Sequence, residues 1–525
     1  MLGEKTMSQD LPPELRRELF TPQILANVLN LGGEEPLIQM AWGPAYSRSA
    51  LRDEVSRYLQ AFRKLGLAQG DRIAMLSGNR VEVVVVAMAA QVMGLSNIAL
   101  HPLGAVDDYA YMIQDAGIRA VVFDPSKMIS RAEGLRERFG DALQLFSFGP
   151  APLGVDISAL AGKETPALLV GAEVQGHDLA RFSYSGGTTG RPKGITGDYR
   201  SLQAMQAMVM ADWEWPTIPK ALVCAPLSHS AATLLTPSLL KGGSLVVLPG
   251  FDVNQVLQAI QDYRINCMLL VPTMIYALLD HPDLDSYDLS SLETIFYGAS
   301  LMSPARLHEG ILKLGPIFQQ FYGQGEAPMT VTILRRAEHL VDDMERLASC
   351  GRPTPFTEVA LLDDDNRPVA DGTPGEICVR GPLLMSGYHN KPEETAAAFA
   401  GGWLHTGDVA VRNPDGFLRI VDRKKDMIVT GGFNVFPSEV ENVLSQHPAV
   451  AQAAVIGVKD EKWGEAVKAV VVLRPGAQVE DAELIALVRE RKGSVQAPKS
   501  VDFVESIPQT PVGKPDKKAL RALYA

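Results

Sequence analysis

Residues 184–195 combine the residue types that proteins use to bind phosphate. The stretch reads YSGGTTGRPKGI and holds four glycines and the two cations Arg191 and Lys193. Glycine lets backbone N–H groups wrap anionic oxygens, the Ser and Thr hydroxyls add donors, and Lys193 can neutralise charge. The pattern Gly-x-x-x-x-Gly-Lys-Ser/Thr is absent, which disfavours switch GTPases and ordinary P-loop ATPases. The sequence therefore predicts a phosphate-binding loop of another kind.

The predicted elements around this loop are those of a folded α/β protein. A short strand is predicted at 179–183 and a helix at 201–211. From Asp71 onward, strands at 72–76, 96–100 and 120–123 alternate with helices at 81–93 and 107–116. The same alternation returns between 221 and 279. Two doubly wound α/β units are therefore expected.

The pattern of predicted secondary structure changes after Arg335. Short strands punctuated by Gly and Pro predict a small β-barrel-like subdomain. The charged run Asp422 to Asp426 then precedes a mixed segment, with helices predicted at 438–445 and 481–491 and strands at 453–458 and 467–473. We predict an N-terminal domain at 1–422, a hinge at 423–425 and a mobile α+β domain at 426–525.

Composition limits the classes of function. The chain has 525 residues, more than one hydrophobic core accommodates, with 46% hydrophobic and 21% charged residues. A net charge of −12 argues against nucleic acid or an anionic membrane as the main partner. Four scattered cysteines give no disulfide or zinc pattern. With no predicted secretory signal or membrane span, a cytoplasmic protein is expected.

Four further segments follow the loop in a characteristic order: FYGQGE at 321–326, WLHTGD at 403–408, DRKKDMIVTGGFNVFP at 422–437 and PQTPVGK at 508–514. Together with the loop they resemble the adenylate-forming superfamily, which includes acyl-CoA synthetases, peptide-synthetase adenylation domains and beetle luciferases. The resemblance covers nearly the whole chain. It implies that a carboxylic acid and ATP give acyl-AMP and pyrophosphate, after which the thiol of coenzyme A gives a thioester.

The resemblance also implies roles for individual residues. Thr188, Thr189, Gly190 and Lys193 would hold the β- and γ-phosphates, and Glu326 would bind Mg²⁺, which prefers oxygen ligands. Tyr322 would stack on adenine, Asp408 would accept bonds from the ribose hydroxyls, and Arg423 would contact ribose or phosphate. Further positions implied to contact the nucleotide are Ser185, Gly186, Gly187, Gly298, Ala299, Ser300, Gln320 and Gly323.

Two segments are implied to act in different orientations of the C-terminal domain. Lys514 would contact the acyl carboxylate and the α-phosphate only while acyl-AMP forms. Lys425 would be the hinge. Gly431 and Gly432 would face the pantetheine tunnel of coenzyme A in the second orientation.

The acid is predicted to be apolar and to lack an α-amino group. Amino-acid-activating relatives place an Asp in the second α/β unit, whereas residues 221–251 contain no acidic residue. An unpaired buried ammonium would be costly. His229, Gly298 and Gln324 are implied to line the acyl site. His229 would either gate the acyl site or be a structural residue at the start of a helix. Gly325 replaces the Thr of most relatives, and we predict that it adds room for a bulky acid.

Two other functions stay open from the sequence alone. One is a stand-alone adenylating enzyme that passes acyl-AMP to a carrier protein or a separate enzyme. The other is a non-catalytic binding module, which is disfavoured because Lys193, Glu326, Asp408, Arg423 and Lys514 are all present. The sequence leaves the oligomeric state open, and a homodimer is one of the alternatives.

Overall fold

The computed structural model describes residues 18–184, 192–431, 433–460, 462–509 and 515–524. Residues 18–184 form α1 (Thr21–Asn30), β1 (Pro36–Met40), β2 (Ala45–Ser47), α2 (Arg48–Lys64), β3 (Arg72–Leu76), α3 (Val81–Met93), β4 (Ser96–Ala99), α4 (Val106–Ala116), β5 (Ala120–Phe123), α5 (Pro125–Phe139), β6 (Gln144–Ser147), β7 (Val155–Asp156), α6 (Ile157–Ala161) and β8 (Leu179–Tyr184).

Residues 192–362 form β9 (Gly194–Asp198), α7 (Tyr199–Asp212), β10 (Lys220–Val223), α8 (Leu235–Leu240), β11 (Ser244–Val247), α9 (Val253–Tyr263), β12 (Cys267–Leu270), α10 (Pro272–Leu279), β13 (Thr294–Tyr297), α11 (Pro304–Leu314), β14 (Phe318–Tyr322), β15 (Thr332–Leu334), α12 (Met344–Leu347), β16 (Arg352–Pro353) and β17 (Glu358–Leu362). The remaining elements are β18 (Gly375–Arg380), β19 (Gly387–Tyr388), α13 (Pro392–Ala398), β20 (Leu404–Arg412), β21 (Leu418–Arg423), β22 (Ile428–Thr430), β23 (Phe433–Val435), α14 (Pro437–Leu444), β24 (Val450–Asp460), β25 (Gly464–Leu473), α15 (Asp481–Lys492), β26 (Ser500–Phe503) and α16 (Lys517–Leu523).

The first α/β unit is a parallel sheet in the order β4-β3-β5-β6-β7. Its helix α3 is almost wholly apolar, because it is buried on most sides, and it ends at Gly94 in the left-handed conformation that glycine favours. The alternation predicted from Asp71 onward is therefore confirmed.

The second unit is a nine-stranded sheet in the order β16-β15-β14-β13-β12-β10-β11-β1-β2. Strands from β14 to β1 run parallel, and the antiparallel pairs lie at the two ends. The N-terminal strand β1 joins β11, about two hundred residues later in the chain, which the local pattern did not predict. Parallel strands align their carboxyl ends, so the segments after β10, β13 and β14 lie on one edge.

Two smaller sheets complete the N-terminal part. The hairpin of β8 and β9 pairs with β19, and an antiparallel sheet has the order β17-β18-β20-β21. This second sheet occupies the region where the barrel-like subdomain was predicted. In it, Asp408 lies directly opposite Arg423 on the neighbouring strand.

The last hundred residues have their own core. Strands β23-β22-β25-β24 pair antiparallel, and β26 adds to β25 in parallel. Helices α14 and α15 pack on this sheet through Val440, Leu444, Leu484 and Val488, all buried. The separate core is consistent with the proposed domain division.

Candidate active site

Tyr322, Asp408 and Arg423 come from three different strands and meet at one carboxylate. The hydroxyl of Tyr322 donates to Oδ2 of Asp408 at 2.7 Å, and Nε of Arg423 lies 2.7 Å from Oδ1. The carboxylate end is buried, whereas the Arg423 side chain is 45% exposed. Burial and the neighbouring Asp408 raise the pKa of the Tyr322 phenol. The group presents an aromatic ring and a fixed carboxylate, which suit adenine and ribose hydroxyls.

Glu326 lies four residues beyond the end of β14, beside a second tyrosine. Oε1 of Glu326 accepts the hydroxyl of Tyr388 at 2.9 Å. Burial and the Glu326 charge raise the pKa of that phenol. Nζ of Lys193 lies 4.8 Å from the centroid of the same ring and 3.0 Å from Oε2 of Glu394. The cation predicted to hold phosphate and the carboxylate predicted to hold Mg²⁺ are therefore linked through Tyr388.

Several predicted residues lie outside the described part of the chain. They are Ser185, Gly186, Gly187, Thr188, Thr189, Gly190, Gly432 and Lys514. The strands on either side of the glycine-rich segment pair with each other, Tyr184 with Gly194. The predicted roles of the undescribed residues stay predictions.

Five of the residues predicted to contact the nucleotide lie within β14 or directly after β13 and β14. A Cβ at Gly298 would lie 2.4 Å from the carbonyl oxygen of Phe321, and one at Gly323 would lie 2.4 Å from the Met329 nitrogen. Only glycine fits at these two positions. Ala299 has a φ of 66°, which is unfavourable for a residue with a Cβ. Ser300 follows it on the same loop, and Gln320 is buried in β14. Strained backbone of this kind is concentrated at functional sites.

His229 begins the short 3₁₀ helix Ser230–Leu234, which follows β10. Its Nδ1 lies 2.8 Å from Oγ of Ser228, and its ring meets the edge of His101 at 5.1 Å. Burial, and secondly the neighbouring His101, lower the pKa of His229. The position fits the helix-start interpretation, although the side chain makes no capping bond. The gate interpretation stays a prediction.

Gly325 requires a correction, because its missing side chain does not leave an open space. A Cβ there would lie 2.6 Å from Cδ1 of Ile195, and its carbonyl accepts Nη1 of Arg181 at 2.9 Å. Ile195 is a buried residue of β9. Protein atoms, rather than space for a bulky acid, therefore adjoin Gly325 in the Cβ direction. Gln324 lies on the same turn, and its backbone exchanges hydrogen bonds with Ala327.

Gly431 lies in the β22–β23 turn with a φ of 57°. Its N–H donates to the carbonyl of Trp463 at 2.8 Å, and a Cβ would lie 2.6 Å from the indole. Packing against Trp463 therefore requires glycine here, independently of any pantetheine tunnel.

Lys425 lies between two residues with different anchors. The N–H of Lys424 donates to the carbonyl of Gly407 at 2.8 Å, on β20 of the N-terminal part. On the other side, Asp426 pairs with Arg521 of α16 at 2.9 Å. Backbone rotation at Lys425 would move one set of anchors relative to the other, as a hinge requires.

The sequence did not single out Tyr388, Arg181 or the cluster of Glu376, Cys378 and His405. Tyr388 donates a hydrogen bond to Glu326, and Arg181 donates one to Gly325. Both bonds join residues far apart in the sequence, so no local pattern predicts them. The cluster brings three metal-binding residue types within 4.8 Å. Nζ of Lys424 lies 3.2 Å from its carboxylate, however, and burial raises the pKa of the Cys378 thiol to about 12. A hydrogen-bond network explains this cluster without a metal.

Comparison with known families decides the identity. A model described as AMP-binding enzyme matches residues 39–389, and a model described as AMP-binding enzyme C-terminal domain matches residues 439–514. The chain belongs to the AMP-binding enzyme family. It is an AMP-forming ligase of the acyl-CoA synthetase type, which uses ATP to make acyl-AMP and then transfers the acyl group to coenzyme A. The stand-alone adenylating enzyme and the binding module are not favoured.

The relatives match this chain over most of its length. It is 52% identical to a medium/long-chain-fatty-acid–CoA ligase of Mycobacterium tuberculosis, over 90% of this chain and 85% of that protein. It is 37% identical to a feruloyl-CoA synthase of Amycolatopsis, over 92% and 94%. The amide bond synthetase McbA of Marinactinospora thermotolerans superposes with a TM-score of 0.87 at 34% identity, covering 96% of this chain and 100% of that one. Among the described helices, none is long and apolar enough to cross a membrane.

Proposed function

We propose that this member of the family makes the CoA thioester of an apolar carboxylic acid, with Mg²⁺ as the metal of the adenylation step. The observation that carries the proposal is the meeting of Tyr322, Asp408 and Arg423 beside the Glu326–Tyr388 pair. A nucleotide needs an aromatic surface and a ribose acceptor, and the metal–phosphate group needs a carboxylate.

Each of these residues has a different role in adenylation. An anionic carboxylate must approach an anionic α-phosphate, so positive charge and N–H donors must offset the repulsion. Lys193 and Lys514 supply charge, and Asp408 positions the ribose. Glu326 would hold Mg²⁺, which neutralises phosphate charge when it is bound. Tyr388 orients the Glu326 carboxylate through its 2.9 Å hydrogen bond.

The composition of the second unit supports the apolar class of acid. No acidic residue occurs at 221–251, and Ala231 and Leu234 are buried beside the His229 turn. The relatives named for fatty acids and for ferulate both act on acids without an α-amino group. A medium- or long-chain fatty acid is the substrate class that we favour, because the relative named for it shares the higher identity.

A panel of acids tests this class. The enzyme is incubated with ATP, Mg²⁺, coenzyme A and either octanoate, palmitate, ferulate or phenylalanine, and the thioesters are measured by mass spectrometry. We expect the highest kcat/KM with a fatty acid and no product with phenylalanine. A preference for phenylalanine would contradict the proposal. Replacing coenzyme A by an acyl carrier protein or an amine in parallel reactions tests the acceptor, because related proteins are named for these products.

A further inference from the structure

The buried carboxylate of Glu376 connects the proposed ribose site to the proposed hinge. Glu376 lies on β18, and its side chain is 8% exposed. Its two oxygens bond to β20, and one of them also bonds to Lys424. Oε1 accepts the N–H of Gly407 at 2.9 Å, and Oε2 lies 3.1 Å from Nδ1 of His405 and 3.2 Å from Nζ of Lys424.

One side of this network fixes the backbone of β20 at the residue before Asp408. Gly407 has a φ of 71°, so the backbone adopts a conformation that disfavours other residues. Its N–H is held by Glu376, and the next residue is Asp408. His405 lies two residues before Gly407. Its Nδ1 faces Glu376, and its Nε2 faces the carbonyl of Ala400 at 3.2 Å. The direction of the Asp408 carboxylate therefore depends on Glu376.

The other side of the network fixes the residue before the hinge. Lys424 is held three times: its N–H by the Gly407 carbonyl at 2.8 Å, and its Nζ by Glu376 and by Asp364 at 2.7 Å. Burial of the carboxylate would raise the pKa of Glu376, but the bonds from His405, Gly407 and Lys424 outweigh this and leave it lowered. Glu376 is therefore held in its charged form, as an ion pair with Lys424 requires.

We propose that Glu376 is a positioning residue that couples nucleotide binding to the orientation of the C-terminal domain. It joins the β20 backbone beside Asp408 to Lys424, so a change on either side is transmitted to the other. A nucleotide whose ribose holds Asp408 in place would also hold Lys424 and thereby favour one rotation at Lys425. By reciprocity, breaking the contact between Lys424 and Glu376 weakens nucleotide binding, although Lys424 is not assigned a nucleotide contact. The inference rests on the proposed ribose role of Asp408.

The test compares three variants in the full chain. Glu376→Gln keeps an acceptor for Gly407 but removes the charge, and Lys424→Met removes the ammonium. Asp364→Asn is the matched control, because it removes the other carboxylate of Lys424, which has no link to Asp408. Binding of AMP is measured by calorimetry. Trypsin cleavage after residues 423–425 is followed by mass spectrometry with and without AMP.

We expect Glu376→Gln to raise the Kd for AMP about tenfold, which corresponds to about 1.4 kcal/mol. Lys424→Met should raise it about threefold, and Asp364→Asn should stay within about twofold. The double variant of Glu376 and Lys424 should be no weaker than Glu376→Gln alone, because the two act through one contact. AMP should slow cleavage of the hinge in the wild type and in Asp364→Asn, but not in Glu376→Gln.

Two results would overturn the inference. If Lys424→Met binds AMP as the wild type does, Glu376 positions the β20 backbone beside Asp408 without coupling it to the hinge. If AMP protects the hinge equally in Glu376→Gln and in the wild type, the coupling is also absent. Should Glu376→Gln fail to fold, the pair Lys424→Met and Asp364→Asn still decides the question. A wild type that binds no AMP would overturn the proposed function as well, so the two failures are distinguishable.

Discussion

Oδ2 of Asp408 accepts the hydroxyl of Tyr322 at 2.7 Å, and the same carboxylate pairs through Oδ1 with Arg423. Tyr322 and Asp408 are separated by 86 positions in the chain and lie in two different sheets, so no local sequence pattern brings them together. The aromatic ring and the carboxylate proposed to accept ribose hydroxyls are thus fixed to each other before a nucleotide binds. Such preorganisation lowers the ordering cost of binding.

Asp408→Asn should lower kcat/KM for ATP by at least about a hundredfold, since charge-assisted hydrogen bonds are worth about 1.5–3 kcal/mol each. The matched variant Tyr322→Phe keeps the ring and the Asp408 charge and removes one hydrogen bond to that carboxylate, so a loss of about tenfold is expected. Pyrophosphate exchange at varied ATP concentration measures both. Equal losses in the two variants would contradict separate roles for the carboxylate and the hydroxyl.

Lys425→Pro should slow thioester formation more than acyl-AMP formation, because proline fixes φ near −65° and restricts rotation at the hinge. Lys425→Ala removes the same side chain but leaves the backbone free, and is expected to retain both half-reactions. Single-turnover assays with ATP, and separately with supplied acyl-AMP, measure the two steps. If the alanine variant behaves like the proline variant, the side chain matters and the pivot lies elsewhere.

Lys514→Ala should abolish acyl-AMP formation and leave thioester formation from supplied acyl-AMP largely intact. A preorganised cation at the reacting centre is worth about 3–4 kcal/mol of transition-state stabilisation. The same two single-turnover assays apply. Equal loss in both half-reactions would refute the assignment of Lys514 to one orientation.

Gly325→Thr should lower adenylation of short and long acids alike, because the added Cβ would meet Cδ1 of Ile195 at 2.6 Å. Ile195→Val removes that atom at a cost of about 0.5–1.5 kcal/mol of stability. The double variant should therefore recover most of the activity that Gly325→Thr loses. Pyrophosphate exchange with octanoate and palmitate measures this double-mutant cycle. A loss confined to the longer acid would instead support the original prediction of added room.

His339 should make the folded protein less stable in mild acid. Its side chain is 5% exposed, Nε2 faces the Tyr297 hydroxyl at 2.9 Å, and Nδ1 faces the Arg335 carbonyl at 2.7 Å. Burial lowers its pKa to about 4, although the Arg335 bond opposes this. The unfolded chain binds the proton first as pH falls below about 6.5, so stability is lost from there down to about pH 4.

Between pH 7 and pH 5 this linkage amounts to about 2 kcal/mol. Denaturant unfolding of the wild type and His339→Gln at both pH values measures it. The glutamine variant, which keeps a donor and an acceptor but does not titrate, should lose about 2 kcal/mol less than the wild type over this range. Identical pH dependence in the two proteins would show that His339 is not the group responsible.

Local patterns predicted much of the fold but little of what joins its parts. Helix α3 and strands β3 and β5 match their predicted bounds, because apolar runs and a terminal glycine mark them. The pairing of β1 with β11 and the bond from Tyr388 to Glu326 depend on long sequence separations. Gly325 shows a different limit: its missing side chain was visible in the sequence, whereas the neighbour that fills the space was not.

The most direct test of the account is carboxylate-dependent exchange of labelled pyrophosphate into ATP, followed by addition of coenzyme A. The account predicts exchange that requires a fatty acid and Mg²⁺ but not coenzyme A. It also predicts stoichiometric thioester and AMP once coenzyme A is added. Exchange without any thioester would contradict the second half-reaction, and the absence of exchange with every acid would contradict acyl-AMP formation itself.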